Sequence, residues 1–283
     1  MFFAGVAHTQ EIVILAKKTA QDIPIDVEAG VWAVARAVDI PLGSQVMTRP
    51  RNYEASVKDV RVKALHNGKE IAFLLEWKDS ARDSSIEVVH TFSDAVALQF
   101  PSEVIGEMPH FGMGHEEDIV NIWNWKAVFQ DGMEKRKVYA MVDEFLAGRE
   151  AGNLMSLPLK TPVQNLIAGG FGSLTAMEEK DQNISGIGKW DGGVWKVVFK
   201  RSLKGTGKYD ARFEEGKLTP VAFAVWDGAK GERGARKAAS TWYYVALETE
   251  VPVTVYLYPI IVFIGTAGLL LGIISYLRKR RTT

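Results

Sequence analysis

The sequence predicts a mainly β protein: an antiparallel β-sandwich with a few short helices, plus one C-terminal transmembrane helix. Three patterns carry this. Short runs of alternating apolar and polar residues recur along most of the 283-residue chain. Turn-forming Gly, Asn and Asp separate them, as antiparallel sandwiches require. An uncharged stretch from Val251 to Leu277 then runs directly into Arg278-Lys279-Arg280-Arg281. The expected division is residues 1–250 as the sandwich and 251–283 as a membrane anchor with a basic tail.

In chain order, Ile12–Ala16 reads as a first apolar strand. Val57–Leu65 and Glu70–Trp77 follow, joined at Asn67-Gly68, a dipeptide typical of type I′ hairpins. Further strands are expected at Val88–Thr91, Ala95–Phe100 and Ile119–Val128. Between Val138 and Lys180 the alternation weakens, which reads as a long connection over the sheet with a short helix near Tyr139–Leu146. Asp191-Gly192-Gly193 then introduces a second hairpin, whose strand puts Trp195, Val197 and Phe199 on one face and Lys196 and Lys200 on the other. Val221–Trp226 and Thr241–Leu247 complete the strands, and no repeat of fixed period is visible.

Val255–Leu277 is long enough to cross ~30 Å of hydrocarbon. Tyr256, Tyr258 and Tyr276 sit near its ends as interfacial aromatics. The basic tail places the C-terminus in the cytoplasm and the main domain on the outer face of the cytoplasmic membrane. Gly268 and Gly272 form a G-x-x-x-G, compatible with close helix contact. At the other end, Phe2–Ala7 resembles the close of a signal peptide with a small-x-small cleavage site, as if the chain began inside a longer leader.

Composition narrows the chemistry. Thirty-four basic and 34 acidic residues balance, so nothing favours nucleic acid, whose phosphates need a basic face. Cysteine is absent, which excludes covalently attached c-type haem, cysteine-held iron–sulfur clusters and thiolate zinc. A metal centre must therefore use Met, Lys, Tyr, carboxylates or the five His. No G-x-S-x-G, Walker A or H-E-x-x-H marks a catalytic centre.

Met113 is the most informative residue. Gly112 and Gly114 flank it and leave its thioether unscreened, ahead of the tryptophan-rich Val120–Lys126. A thioether is a soft axial ligand for haem iron, although a methionine in such a place also serves as core filler. His110 and His115 straddle it and read as rim residues or ligands. Trp123 and Trp125 share one strand face, suited either to core packing or to flanking a flat cofactor.

Taken in order, Asp94–Pro101, the Gly-Met113-Gly loop, Val120–Lys126, Gly193–Arg201, Val221–Gly228 and Glu232–Ser240 resemble the haem b-binding gamma subunits of the type II dimethyl sulfoxide reductase family. That group includes subunits of ethylbenzene, dimethyl sulfide, selenate, chlorate and nitrite-oxidising complexes. The likeness spans Val57 to Leu247. It implies one non-covalent haem b held between Met113 and Lys237, the latter inside Gly-Ala-Arg-Lys-Ala-Ala-Ser. Lys200, Lys204 and Lys230 lie near the same motifs. Arg201 is a candidate partner for the haem propionates. The resemblance implies a non-catalytic electron-transfer subunit. It would relay electrons between the iron–sulfur subunit of a complex with a molybdopterin catalytic subunit and an external cytochrome or the quinone pool. The C-terminal membrane helix departs from the family's familiar soluble members. A membrane-tethered carbohydrate- or ligand-binding sandwich without haem, using Trp190 or Trp242 as a platform, is the competing expectation.

Overall fold

The computed structural model describes residues 12–85, 90–104, 107–138, 160–250 and 254–281. The leader-like Phe2–Ala7, the short helix near Tyr139–Leu146 and the first half of the strand expected at Val88–Thr91 lie outside the described residues; its other half, His90 and Thr91, is turn and loop. The chain divides into residues 1–248 and 249–283.

The larger unit contains β1 (Val13–Lys18), β2 (Val38–Pro41), β3 (Gly43–Ser44), β4 (Asp59–His66), β5 (Glu70–Lys78), β6 (Ala95–Pro101) and β7 (Val120–Lys126). After α1 (Ala127–Val138) come β8 (Val163–Ala168), β9 (Thr175–Ala176), β10 (Ser185–Asp191), β11 (Val194–Ser202), β12 (Leu218–Trp226), β13 (Ala238–Ala239) and β14 (Tyr243–Leu247). Neighbouring strands run β10-β11-β5-β4-β1-β14-β12-β6-β7-β8-β9, with β2 on β4, β13 on β12 and β3 on β13. β12 belongs to both layers: Leu218–Val221 pairs with β14, and Ala222–Trp226 pairs with β6. Most pairings are antiparallel, but β1 runs parallel to both β14 and β4.

The two layers meet through aromatic side chains. Trp125 of β7 packs edge-on to Trp195 of β11 at 5.0 Å, and Trp195 stacks on Trp77 of β5 at 6.1 Å. Trp123 lies 4.8 Å from Phe100 and 6.0 Å from Phe73. Gly188 of β10 is required here, because a Cβ at that position would lie 2.2 Å from the Trp125 ring.

Three expectations change. The turn between β4 and β5 has positive φ only at Gly68, with Asn67 and Glu70 facing each other across it. That is the II′ geometry, not I′; the Asn67 side chain instead accepts the amides of Lys69 and Glu70. The Asp191–Val194 hairpin does take positive φ at both central glycines. Secondly, β7 stops at Lys126 and α1 begins at once, two residues before the expected strand end. Ser93 Oγ accepts the Val128 amide there and Gln130 clasps Gly188, so side chains take over from the ladder. Thirdly, residues 138–180 are not only a connection: β8 is a strand between β7 and β9. Its buried Gln164 and Asn165 hid the apolar alternation. Asn165 is satisfied by Asn121, Asp181 and Asp210 at 2.6–2.8 Å, so burying it costs little.

The smaller unit carries α2 (Thr254–Arg281), with Leu257–Ile274 long and apolar enough to cross a membrane.

Candidate functional site

β6, β7 and β12 have two unlike faces. One face sends Val96, Leu98, Phe100, Trp123, Trp125, Phe223 and Val225 into the core. The opposite face carries small residues. Ala239, Ala224, Ala97 and Asn124 form one cross-strand row, and Ala222, Gln99, Ile122 and Leu166 form the next. Because strand side chains alternate, this recessed floor is the other half of the core pattern. Over it lies a cavity of about 610 Å³ with a predominantly apolar lining, a size suited to a cofactor.

Met113 lines that cavity. Its backbone has φ 76°, and among the described residues no other non-glycine has positive φ. Such a conformation costs roughly 1–2 kcal/mol for a residue with a Cβ, so the surroundings must impose it. The Gly114 amide donates to His110 O at 2.8 Å, and the Gly170 amide donates to Met113 O at 2.8 Å. Gln99 Nε2 holds Phe111 O at 2.8 Å, and Trp242 Nε1 holds Pro109 O at 2.7 Å. Gly114 itself has φ 72°, and a Cβ there would lie 2.4 Å from Asp118 O. The two glycines therefore permit the turn that presents the thioether, besides leaving it uncovered.

Lys237 lines the same cavity from the β13 edge, whereas the Met113 loop is tied to the β8 end. Its amine sits 5.0 Å from the centre of the Trp226 ring. Burial pulls its pKa down to about 8. Near neutral pH about a tenth of such an amine is uncharged, against about one part in 2,500 for an ordinary lysine. The segment before it is fixed by Gln45 Nε2 on Ala235 O at 2.8 Å and by Trp226 Nε1 on Gly234 O at 3.0 Å.

The other expected residues lie elsewhere. Trp123 and Trp125 are fully buried on the core face, so neither ring flanks the cavity. Arg201 is also a core residue. It lies 3.4 Å from Asp210, over the Trp123 ring at 4.9 Å, with a hydrogen bond to Ala211 O. It points away because β11 belongs to the other layer. Lys200 pairs with Glu70 at 3.2 Å, and neither it, Lys204 nor Lys230 lines the cavity. His110 stacks on Phe111 and accepts the Gly112 amide through Nδ1, while His115 is exposed. Trp190 and Trp242 are each half-buried and tied to backbone carbonyls, of Asp79 and Pro109.

The structure adds residues that the sequence reading passed over. Lys126 lines the cavity, its pKa lowered by burial, with its amine 5.0 Å from the centre of the Phe129 ring. Arg49 and Arg233 also line it and supply positive charge for an anionic group. A soft thioether, an amine eased toward neutrality, a flat apolar floor and flanking cations suit a planar, dianionic iron porphyrin.

Comparison with known proteins agrees with the order of motifs. The family model described as ethylbenzene dehydrogenase matches in two overlapping segments, residues 29–156 and 142–238. A protein of Haloferax mediterranei named as a respiratory nitrate reductase heme subunit is 27% identical over 225 residues, covering 80% of this chain and 69% of that one. Chlorate reductase subunit gamma of Ideonella dechloratans is 25% identical, over 66% of this chain and 63% of its own length. Dimethylsulfide dehydrogenase subunit gamma of Rhodovulum sulfidophilum is 26% identical, over 79% and 76%. Among solved structures, a carbohydrate binding module of family 9 from Caldicellulosiruptor kristjanssonii aligns over 86% of this chain and 96% of its own, at 10% identity and a TM-score of 0.43, too remote to bear on ligand. With the matched segments running from residue 29 to residue 238, this chain belongs to the ethylbenzene dehydrogenase family.

Proposed function

We propose that this protein is a b-type cytochrome: a non-catalytic electron-transfer subunit holding one non-covalent haem b between Met113 and Lys237. One observation carries the reading. Two residues far apart in sequence, one a thioether and one an amine of depressed pKa, line the same cavity over an alanine floor. The bound haem would supply a one-electron iron couple. The chain does the rest. Met113 and Lys237 would hold the iron between them, an arrangement suited to electron transfer and not to substrate binding. Arg49, Arg233 and Lys126, which line the cavity, would pair with the propionates. The apolar floor keeps water away from the ring, which with a thioether ligand favours a raised potential.

By analogy with the relatives, the redox partners are the iron–sulfur subunit of a molybdopterin enzyme on one side and an external cytochrome or the quinone pool on the other. The apolar span Leu257–Ile274, followed by the basic tail, supports a single-pass anchor. The tail would lie in the cytoplasm and the sandwich on the outer face.

The full chain, purified in detergent, should show a Soret band and a sharp α band on reduction. Met113→Ala and Lys237→Ala should each change the low-spin spectrum or lose the haem. A colourless protein after reconstitution with hemin would overturn the assignment. Unchanged spectra in either variant would remove that residue from the iron.

A further inference from the structure

Outside the residues that line the cavity, three carboxylates converge. Asp79 follows β5, Asp94 precedes β6 and Asp227 follows β12, so the ends of three strands meet there. One oxygen from each lies within 4.8 Å of the others. All three side chains are deeply buried, Asp79 at 4%, Asp94 at 0% and Asp227 at 7% exposure. Buried charges of one sign are ordinarily neutralised by a partner. Here none of the three makes an ion pair among the described residues; Glu232 adds like charge beside Asp227 and Asp83 beside Asp79 and Asp227, while Lys230 offsets it in part at Asp227.

The second observation is an orphaned oxygen. Asp79 Oδ1 accepts the Ala81 amide at 3.1 Å; Asp79 Oδ2 is buried without a well-formed hydrogen bond, the Trp77 indole being the side-chain donor near this carboxyl and itself left unpaired. An unpaired carboxylate oxygen in such a place is costly unless something else binds it. The surrounding backbone is built to hold these groups as acceptors. Asp94 Oδ1 takes the Gly228 amide at 2.9 Å; its Oδ2 takes the Asp83 amide at 2.7 Å and Trp195 Nε1 at 2.9 Å. Asp227 Oδ1 takes the Lys230 amide at 3.1 Å. Gly228 can make its contact because it has no side chain: a Cβ there would lie 2.0 Å from Phe92 O.

We propose that Asp79, Asp94 and Asp227 form a structural site for a hard divalent cation, calcium being the best fit. The donors are all oxygen, without histidine or cysteine, which selects calcium or magnesium over zinc or copper. Oxygens on opposite sides of a calcium ion stand up to about 4.8 Å apart, twice the ~2.4 Å bond length. Magnesium, bound at ~2.1 Å in a rigid octahedron, usually keeps several waters and one or two carboxylates. Carboxylates taken from loop ends suit the larger and more tolerant ion. Titration behaviour supports this without being needed for it: burial, then neighbouring carboxylates, raise Asp94 to about 7 and Asp79 to about 6. A cation would hold both ionised. The site would brace the cavity from behind, since Asp94 leads directly into Ala95 of the floor and Asp227 follows Trp226. It does not depend on haem.

The test uses the full chain in detergent at pH 7.5. Elemental analysis of protein purified in calcium-containing buffer and then desalted should find close to one calcium per chain. Treatment with EDTA should remove it and lower the melting temperature. Calcium chloride should restore that temperature, and magnesium chloride at equal concentration should restore much less. Asp79→Asn keeps the side-chain shape and should abolish the calcium response with far-ultraviolet circular dichroism unchanged. A protein that retains no calcium and melts identically in EDTA and in calcium chloride overturns the proposal, because the carboxylates then simply share protons. If Asp79→Asn does not fold, the wild-type metal content and melting shift decide the matter alone.

Discussion

The two faces of the β6–β7–β12 layer are made by the same strands and do opposite work. The inner face stacks Phe100, Trp123, Trp125 and Phe223 against the partner layer and supplies stability. The outer face, one residue out of phase, carries Ala95, Ala97, Ala222 and Ala224 and leaves a cavity. A single period of two thus writes both a core and a site into one stretch of chain. Large side chains make the first, and their absence makes the second. Lys126 and Lys237 on the open side are liabilities until an anionic or metal-bearing ligand meets them.

The largest expected effect comes from breaking the inner face. Trp123→Ala should cost about 3–5 kcal/mol, as truncation of a fully buried aromatic does. Denaturant unfolding reads this directly. Because a domain has only ~5–15 kcal/mol to lose, haem retention should fall with it. A loss under 1 kcal/mol would mean that Trp123 is not the packed core residue its 0% exposure indicates.

Filling the outer face should reverse the balance. Ala97 and Ala224 are cross-strand partners at the centre of the floor. Ala97→Phe should place a ring where the cofactor lies and abolish most haem binding, seen as loss of the Soret band. The ligand-free protein should keep its far-ultraviolet circular dichroism, since the new ring enters the cavity that Ala97 lines. Full haem occupancy in that variant would show that the cavity over this floor is not the haem site. The pair of variants separates loss of fold from loss of site.

This contrast also explains what was readable in advance. Strands with one greasy face, such as Trp195, Val197 and Phe199 of β11, announce themselves through alternation. The floor does not. Alanine is mild in every scale, and Ala95, Ala97, Ala222, Ala224 and Ala239 mean something only once register aligns them. Met113 was visible locally because its glycines single it out. Lys237 was not: beside Arg233 and Arg236 it reads as a surface lysine, and only likeness to a family pointed to it. Trp123 and Trp125 illustrate the reverse case, taking the core-packing role of the two that the sequence left open. Their shared face was legible, but which layer lay on that face was a matter of topology. Arg201 misled for a related reason: a strand-end arginine looks solvated, yet Asp210, in the loop that follows β11 and itself held by Asn165 of β8, pairs with it in the core. Buried amides hid β8 as well, because a satisfied Asn carries no apolar signal.

The smallest effect sharpens the comparison at Lys126. Burial holds its folded-state pKa below that of a free lysine. For a group depressed on folding, the stabilising contribution is complete only above the unfolded pKa, about 10.4, and is lost as pH falls through the folded value. At neutral pH the ligand-free protein therefore carries the cost of a buried ammonium. Lys126→Met should raise the melting temperature of ligand-free protein modestly at pH 7 and flatten its rise toward pH 10. The same change should weaken haem retention, because a propionate partner is gone. Melting curves of ligand-free wild type and variant that keep the same slope between pH 7 and 10 would show that Lys126 bears no such penalty. The open face would then owe its strain to Lys237 alone.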